Sequence, residues 1–297
     1  MNKKNNHKYI LYQLYAIRGD IKHYFHFFYA VCIPLILEYI EYKKKYDNIT
    51  FIIKDDVGPF FRILFELPID IKFASLIEDI NKLDIEKKYL IPMDTQVMDE
   101  KSLRWIKQKR ADIFTHSMCK KINNWFKEQI NTYDFYIHIK NSICNADVVI
   151  IERKTNISYK STYSKLKDNN IFKTSGSERR YIINHKEFVQ SIKDYFPTKN
   201  VINISTEYMP IFEQYYIFNN AKLIIAQHGA GLANIIFMKN KCSVIEIVCK
   251  KRINENWFLD LSKACNNLNY MQFFSDEENV KIDLNNFKLF LDKGTFF

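Results

Sequence analysis

A turn rich in small residues carries the clearest signal for chemistry in this sequence, since residues 226–234 read AQHGAGLAN. Strand-like segments flank it at 222–226 and 243–248, and the pattern of 232–237 indicates the start of a helix. Gly229 and Gly231 let the backbone bend tightly and approach a ligand closely. A strand, a turn and a helix start gather unpaired N–H groups and partial positive charge, which favours an anion, most often a phosphate. A tight turn inside a packed α/β core would show the same pattern.

The segments around this turn alternate between strand and helix, which predicts an α/β fold with a mostly parallel sheet. Residues 147–151, DVVII, form a near-continuous apolar strand of the kind that is covered on both faces. Further strands are predicted at 200–204, 223–226, 243–248 and 270–273, and helices at 186–194, 209–218, 256–264 and 284–291. The polar stretch 154–176 is predicted to be a loop.

The first half of the chain also alternates strand and helix. The segment Tyr24–Tyr42 is apolar on nearly every face and contains Pro34, so we expect a buried helix that bends or restarts near the proline. Helices are also predicted at Leu103–Lys109 and Ile122–Ile130. The cleanest division gives two domains, residues 1–143 and 144–297, with a cleft between them at the carboxyl ends of the strands. The final helix belongs to the second domain or packs back on the first.

Composition argues against several classes of protein. The sequence has no stretch of about 18 apolar residues, so no transmembrane helix is expected, and its N-terminus lacks the apolar region of a signal peptide. The six cysteines are scattered, which indicates a reducing, cytoplasmic compartment and no metal cluster. The net charge of +10 suits an anionic ligand, but the basic residues lack interleaved aromatics, so nucleic acid is not expected as a partner.

The turn and its flanks resemble the signature of glycosyltransferase family 61, which includes plant xylan arabinosyl- and xylosyltransferases and animal protein O-linked GlcNAc transferases. The resemblance rests on His228–Asn234, followed by Phe237 and Val244–Ile247. Other residues fall in the family's order and approximate spacing, namely Arg153, Arg179, Arg180, Asn184, Glu213, Gln214 and Ala221 upstream, and Trp257, Phe258, Leu259 and Tyr270 downstream. The match is strong over residues 148–273 and moderate over 22–37, where His26 and Pro34 resemble a His-containing segment of the family.

This resemblance implies a GT-B-like architecture, in which two Rossmann-like domains face each other across a cleft. It implies inverting transfer of a sugar from a nucleotide sugar, usually UDP-linked, to a hydroxyl of a glycan or protein-linked acceptor. It also implies that no metal ion is obligatory, which agrees with the lack of a D-x-D motif in a donor-site context. Because no membrane anchor is expected, the chain would act in the cytoplasm, on a cytoplasmic precursor, or in a viral or bacterial surface-glycan pathway.

In such a transfer, protein groups must neutralise the departing diphosphate, and backbone N–H groups and arginines are the available means. Arg153 directly follows a strand and Glu152, so it can project into the cleft at the carboxyl edge, and the alternative is a surface arginine. Of the neighbours Arg179 and Arg180, we expect one in solvent and one in the site, where it makes a bidentate phosphate contact.

Three polar residues at or near the turn, His228, Asn234 and Glu246, have two interpretations each. The residues of the turn that are predicted to bind the donor are His228, Gly229, Ala230, Gly231, Leu232 and Asn234. His228 bonds to phosphate or ribose, or it only holds the turn, while Asn234 contacts the donor or packs inside the helix. Glu246, at the end of the next strand, accepts hydrogen bonds from ribose hydroxyls or pairs with a buried arginine. Gln214 ties its helix to the site.

Inversion by direct displacement needs a general base that takes the proton of the acceptor hydroxyl. The usual family carboxylate is absent, because Phe27 and Ala30 stand at the two positions where relatives carry an aspartate. His26 is the nearest substitute, since histidine titrates near neutrality, and the alternative is that it packs against the cleft floor. The missing carboxylate leaves a second function open, that of a catalytically degraded relative that binds nucleotide or glycan without turnover.

Overall fold

The computed structural model describes residues 7–14, 24–53, 60, 62–77, 80–90, 96–99, 104–107, 114–132, 145–153, 180–207, 209–265 and 268–297. The chain divides into two compact units, Met1–Thr132 and Tyr133–Phe297. Among the helices described, none combines the length and the apolar character needed to cross a membrane.

The first unit contains a parallel four-stranded sheet and a separate antiparallel pair of strands. The strands are β1 (Lys8–Leu14), β2 (Ile49–Ile53), β3 (Asp70–Phe73), β4 (Ile85–Leu90), β5 (Gln96–Asp99) and β6 (Arg104–Lys107). The parallel sheet has the order β3–β2–β1–β4, and β5 pairs with β6. The helices are α1 (Tyr24–Phe27), α2 (Ile33–Lys43), α3 (Arg62–Glu66) and α4 (His116–Thr132).

The apolar segment Tyr24–Tyr42 is a buried helix that restarts next to its proline, as predicted. A π-helical turn, Phe28–Cys32, separates α1 from α2, and Pro34 lies in the first turn of α2. The first turn of a helix suits proline because the N–H groups there have no partner within the helix. Fully buried side chains of the segment include Phe27, Phe28, Val31, Cys32, Ile33, Leu35 and Ile36.

The prediction of a helix at Leu103–Lys109 was wrong, because Arg104–Lys107 forms strand β6. This strand pairs in antiparallel register with β5, from Gln96↔Lys107 to Asp99↔Arg104. A short segment with few apolar residues has no decisive period, so pairing with a strand elsewhere in the chain determines its conformation. The predicted helix Ile122–Ile130 is confirmed as part of α4.

The second unit contains a parallel five-stranded sheet with the strands β7 (Val148–Ile151), β8 (Val201–Ile204), β9 (Leu223–Gln227), β10 (Ser243–Cys249) and β11 (Asn269–Ser275). Its helices are α5 (His185–Tyr195), α6 (Ile211–Asn220), α7 (Trp257–Ala264) and α8 (Leu284–Leu291). The strand order is β11–β10–β9–β7–β8. The chain places β8 on one side of β7 and then adds β9 and the later strands on the other side. A 3₁₀ helix, Ala230–Phe237, follows the turn after β9.

The two faces of this second sheet carry different layers of side chains, because successive residues of a strand point to opposite sides. The first face carries Val148, Ile150, Leu223, Ile225, Ile245 and Ile247, packed against Phe188 and Ile192 of α5 and against Phe287 and Leu291 of α8. The second face carries the alternate residues of the same strands, Glu246 among them. The final helix therefore contributes to the core of the second unit.

The predicted α/β class is confirmed, since both larger sheets are parallel and compatible with Rossmann-like folding. The domain limits 1–143 and 144–297 and the facing arrangement across a cleft stay predictions. The loop predicted at 154–176 lies outside the described residues.

Candidate functional site

The reversal of strand order at β7 marks the point in the second sheet where a ligand site is expected. In open parallel sheets, the loops after two neighbouring strands leave toward opposite faces at such a point, and the resulting crevice binds ligands. Arg153 follows β7, and the small-residue turn 228–231 follows the neighbouring strand β9. The arginine and the turn that the sequence singled out therefore lie at the topological switch point.

Arg153 contacts the turn directly. Its Nη1 donates a hydrogen bond of 2.8 Å to the backbone oxygen of His228. A Cβ atom added to Gly229 would lie 1.6 Å from that Nη1 and 2.7 Å from Cζ. The backbone of Gly229, with φ 164° and ψ 176°, is extended and open to any residue. A side chain at this position would therefore displace the guanidinium from the place that it occupies.

The turn presents three successive amides at the same place. The N–H of His228 donates to Ile247 O at 2.8 Å, and that of Leu232 donates to Gly229 O at 3.0 Å. Among the residues that the structure describes, none accepts a hydrogen bond from the amides of Gly229, Ala230 and Gly231. The first N–H groups of a helix have no partner within it, and here they lie beside a guanidinium. The arrangement can bind an anion.

His228 is held between two carboxylates. Its Nδ1 lies 2.6 Å from Glu246 Oε1, and its Nε2 lies 3.3 Å from Glu255 Oε2. The ring also packs edge-on against Phe258, with centroids 5.4 Å apart. Arg252 in turn donates to both oxygens of Glu255, at 2.7 and 3.0 Å. Since both ring nitrogens face carboxylates, the geometry favours the interpretation in which His228 holds the turn.

Glu246 is the buried partner of this histidine. Glu246 is 1% exposed, and its second carboxylate oxygen, Oε2, accepts a hydrogen bond of 2.7 Å from Gln272 Nε2. Burial, together with the Glu246 carboxylate, raises the pKa of Tyr270 well above its usual range. The buried-partner interpretation of Glu246 named an arginine, and the structure places a histidine there instead.

Gln214 and Asn234 form a buried amide pair beneath the turn. Asn234 Nδ2 donates to Gln214 Oε1 at 2.6 Å, and Gln214 Nε2 donates to Met209 O at 2.8 Å. The two residues are 2% and 0% exposed, and Leu232 is also fully buried. These side chains join α6 to the 3₁₀ helix, so they support the turn from within the core.

The family model for Glycosyltransferase 61 matches residues 24–245, about three quarters of the chain. The chain belongs to glycosyltransferase family 61. The matched range contains Arg153 and the whole turn, and membership implies a nucleotide-sugar donor and a glycan acceptor. No curated protein matches the chain.

Other residues predicted for this family 61 site are only partly described. Arg180 has a left-handed backbone, with φ 125°, and its N–H donates to Asn279 Oδ1 at 2.6 Å. Arg179 lies outside the described residues. His26 belongs to α1, in the first unit, and its side chain is outside the described part of the chain, so its role as base stays a prediction.

The structure also brings to the site a residue that sequence reasoning missed. Glu207 follows β8, the other neighbour of β7. Burial raises the pKa of the Glu207 carboxyl, and the charge of Arg153 opposes that rise. Thr206, beside it, reaches the turn, since a Cβ on Gly231 would lie 3.4 Å from Thr206 Oγ1. Arg153 was identified because a residue that follows a parallel strand lies at the carboxyl edge of the sheet. The same reasoning, applied after every predicted strand, would have pointed to Glu207.

Side chains that bind metals are not clustered in the described part of the chain. Within residues that the structure describes, no group of three or more His, Cys, Asp and Glu residues is arranged to hold a metal ion.

Proposed function

We propose that the chain is an inverting glycosyltransferase that moves a sugar from a nucleotide sugar, UDP-linked, to a hydroxyl of a glycan or protein-linked acceptor without a metal ion. The observation that carries this proposal is the contact of Arg153 with the turn, where the guanidinium lies beside the amides of residues 229–231. The family supports the reaction type, and its resemblance supports the UDP donor.

The proposed reaction is one displacement at the anomeric carbon of the donor. The acceptor oxygen attacks that carbon, the bond from carbon to the phosphate oxygen breaks, and the nucleoside diphosphate departs with the electron pair. The proton of the acceptor hydroxyl passes to a general base. Negative charge grows on the leaving phosphate, and preorganised N–H groups and an arginine stabilise such charge without reorganising.

Arg153 and the turn would receive the diphosphate in this scheme. Three amides at the start of the 3₁₀ helix 230–237 add hydrogen bonds and a partial positive charge to the full charge of Arg153. His228 and Glu246 would not touch the phosphate in this scheme. The hydrogen bond between them would fix the backbone whose amides face the phosphate. Arg180 is a further proposed phosphate ligand.

The general base belongs to the first unit in this proposal. We assign the role to His26, because Phe27 and Ala30 leave no carboxylate at the family positions. The GT-B-like arrangement, with the two units facing across a cleft, would bring His26 to the anomeric carbon. The missing carboxylate also favours a second candidate function, in which the chain is a relative that binds nucleotide or glycan without turnover.

Nucleotide release from a panel of UDP- and GDP-sugars, with acceptors present, tests the proposal. Arg153→Ala should lower kcat about 100-fold, the effect of removing one group that stabilises the developing charge. His26→Ala should lower kcat and leave donor affinity unchanged. The matched control is Lys222→Ala, which removes a positive charge before β9 at the opposite edge of the sheet, where Lys222 pairs with Asp147 at 2.7 Å.

Three results separate the candidates. Release that depends on both Arg153 and His26 supports the transferase. Nucleotide binding that depends on Arg153, without release from any donor, supports the degraded relative. Binding and release that are indifferent to Arg153→Ala would remove the switch point as the donor site.

A further inference from the structure

A row of polar side chains lies at the switch point on the first face of the second sheet. Glu152 and Ser205 directly follow β7 and β8, and Gln227 is the last residue of β9. The three residues stand at one level, since the residue before Glu152, Ile151, pairs with Ile204 and Ala226. The N–H of Glu152 donates to Ile204 O at 2.7 Å, so the pairing continues one residue past β7. If the alternation of side chains continues with it, all three residues point to the face of Ile150. Adjacent strands lie about 4.8 Å apart, so this polar row is about 10 Å long.

The two ends of the polar row hold oxygens that lack a partner. Ser205 Oγ and Gln227 Oε1 are buried and form no hydrogen bond within the part of the chain that the structure describes. Gln227 is 7% exposed, and its Nε2 donates to Glu278 O at 2.6 Å, which fixes the orientation of the amide. A buried polar group without a hydrogen-bond partner destabilises the fold. Both oxygens therefore indicate a molecule that supplies hydrogen-bond partners.

Glu152, at the centre, is the accessible member of the polar row. Its side chain is 27% exposed. Asn203 Nδ2 donates to Glu152 Oε2 at 2.9 Å, and His185 Nε2 lies 3.0 Å from Asn203 Oδ1 and 4.0 Å from that carboxylate. These contacts hold the carboxylate in place at the N-terminus of α5.

We propose that the polar row binds the hydroxyls of a sugar ring in the donor, either the ribose or the transferred sugar, and this inference rests on the proposed function. A carboxylate and an amide oxygen accept hydrogen bonds only, and Ser205 can donate or accept. Such a set matches neighbouring hydroxyls and repels phosphate. It fits a divalent cation poorly, because its one carboxylate already accepts from Asn203 and has His185 beside it.

The position of the row relative to Arg153 suits one extended ligand. Arg153 is the residue after Glu152, and it contacts the turn of β9 on the second face. A diphosphate at Arg153 and a ring at Glu152 would therefore lie on either side of the end of β7. A nucleotide sugar that crosses the end of β7 would place adjoining parts, the diphosphate and a ring, at these two positions.

Calorimetric titration of the whole chain in EDTA tests the inference with three probes: inorganic pyrophosphate, UDP and a panel of UDP-sugars. Ser205→Ala removes a hydroxyl that makes no hydrogen bond, so thermal stability should not fall. The affinity of the Ser205→Ala variant should fall about fivefold to tenfold for each probe whose ring the polar row binds, which is the effect of one neutral hydrogen bond. Glu152→Gln keeps an oxygen for Asn203 and should weaken that probe about tenfold or more. The matched control is Ser191→Ala in α5, whose hydroxyl donates to Phe188 O at 2.8 Å.

The probe pattern identifies the ring. Weaker binding of both UDP and UDP-sugars, with pyrophosphate unchanged, supports the ribose, and weaker binding of UDP-sugars alone supports the transferred sugar. Unchanged affinities, an equal fall for all three probes, or an effect that appears only when Mg²⁺ replaces EDTA would overturn the inference. Failure of the proposed function has a different signature, in which Arg153→Ala leaves all three probes unaffected or the unaltered chain binds none.

Discussion

Gly229 shows how one missing side chain makes room for a charge. The guanidinium of Arg153 occupies the volume of a Cβ at this position, at 1.6 Å from Nη1. Any other residue would displace Arg153 from the backbone oxygen of His228, to which it donates. The hydrogen bond and the position of the positive charge therefore depend on the same glycine.

Gly229→Ala should weaken nucleotide binding about tenfold or more, because the displaced guanidinium loses a charged hydrogen bond. Titration with UDP measures this directly. Gly294→Ala is the control, since a Cβ there would lie 2.2 Å from the Phe296 ring, at the C-terminal end of the chain. It should disturb packing and leave UDP affinity unchanged. Equal affinities for the Gly229 variant and the unaltered chain would contradict a role for Arg153 in the site.

At the scale of elements, the turn depends on the 3₁₀ helix 230–237 and on α6. The apolar side chains of the 3₁₀ helix from Leu232 to Phe237 are buried, and Tyr215 of α6 packs edge-on against Phe237, at 5.3 Å between centroids. The amide pair Asn234–Gln214 joins the same two elements. A short 3₁₀ helix has weak hydrogen-bond geometry of its own, so these contacts keep the turn in position.

Asn234→Leu should lower the free energy of unfolding by about 1–3 kcal/mol, because it removes a buried hydrogen bond to Gln214. Urea denaturation followed by circular dichroism measures the change. In the double variant Asn234→Leu/Gln214→Leu the loss should be smaller than the sum of the two single losses, since the residues are in contact. A stable Asn234→Leu protein with weakened UDP affinity would instead make Asn234 a ligand contact.

The stability of the whole molecule should depend on pH in the alkaline range. Burial raises the pKa of Tyr215 to about 12, and burial together with the Glu246 carboxylate raises that of Tyr270 well above its usual range. The unfolded chain loses these protons near pH 10, while the folded chain keeps them. This stabilisation is full below about pH 10 and is lost as the pH rises toward 12.

Unfolding by urea at several values between about pH 9 and pH 12 checks this expectation. Tyr215→Phe should make the decline of the unfolding free energy with pH shallower, because one linked ionisation is gone. Tyr181→Phe, at a position that is 41% exposed, is the control and should leave the slope unchanged. An identical slope for Tyr215→Phe and the unaltered chain would contradict the assignment.

Local pattern was enough to predict several features that the structure brings together in the candidate site. The alternation of strand and helix gave the α/β class, and the position of Arg153 directly after an apolar strand placed it at a carboxyl edge. Two glycines before a helix start predicted the turn. These signals are local, because each depends on residues within a few positions of one another.

Other features of the site depend on strand order. The sequence does not show that β7 lies between β8 and β9, so it hides the polar row of Glu152, Ser205 and Gln227. The same limit applies to the interaction between Glu207 and Arg153 and to the carboxylates on either side of His228. The strand β6 was mistaken for a helix because its partner, β5, lies outside any local window.

The sequence by itself determined the class of fold, the family resemblance, the turn and the place of Arg153 directly after a strand. Only the tertiary structure decided which side chains meet, as with Arg153 and His228, which are 75 residues apart in the chain. The physical reason is that strand pairing is a long-range choice. Once the register is set, the alternation of side chains assigns each polar residue to a face and gives it its neighbours.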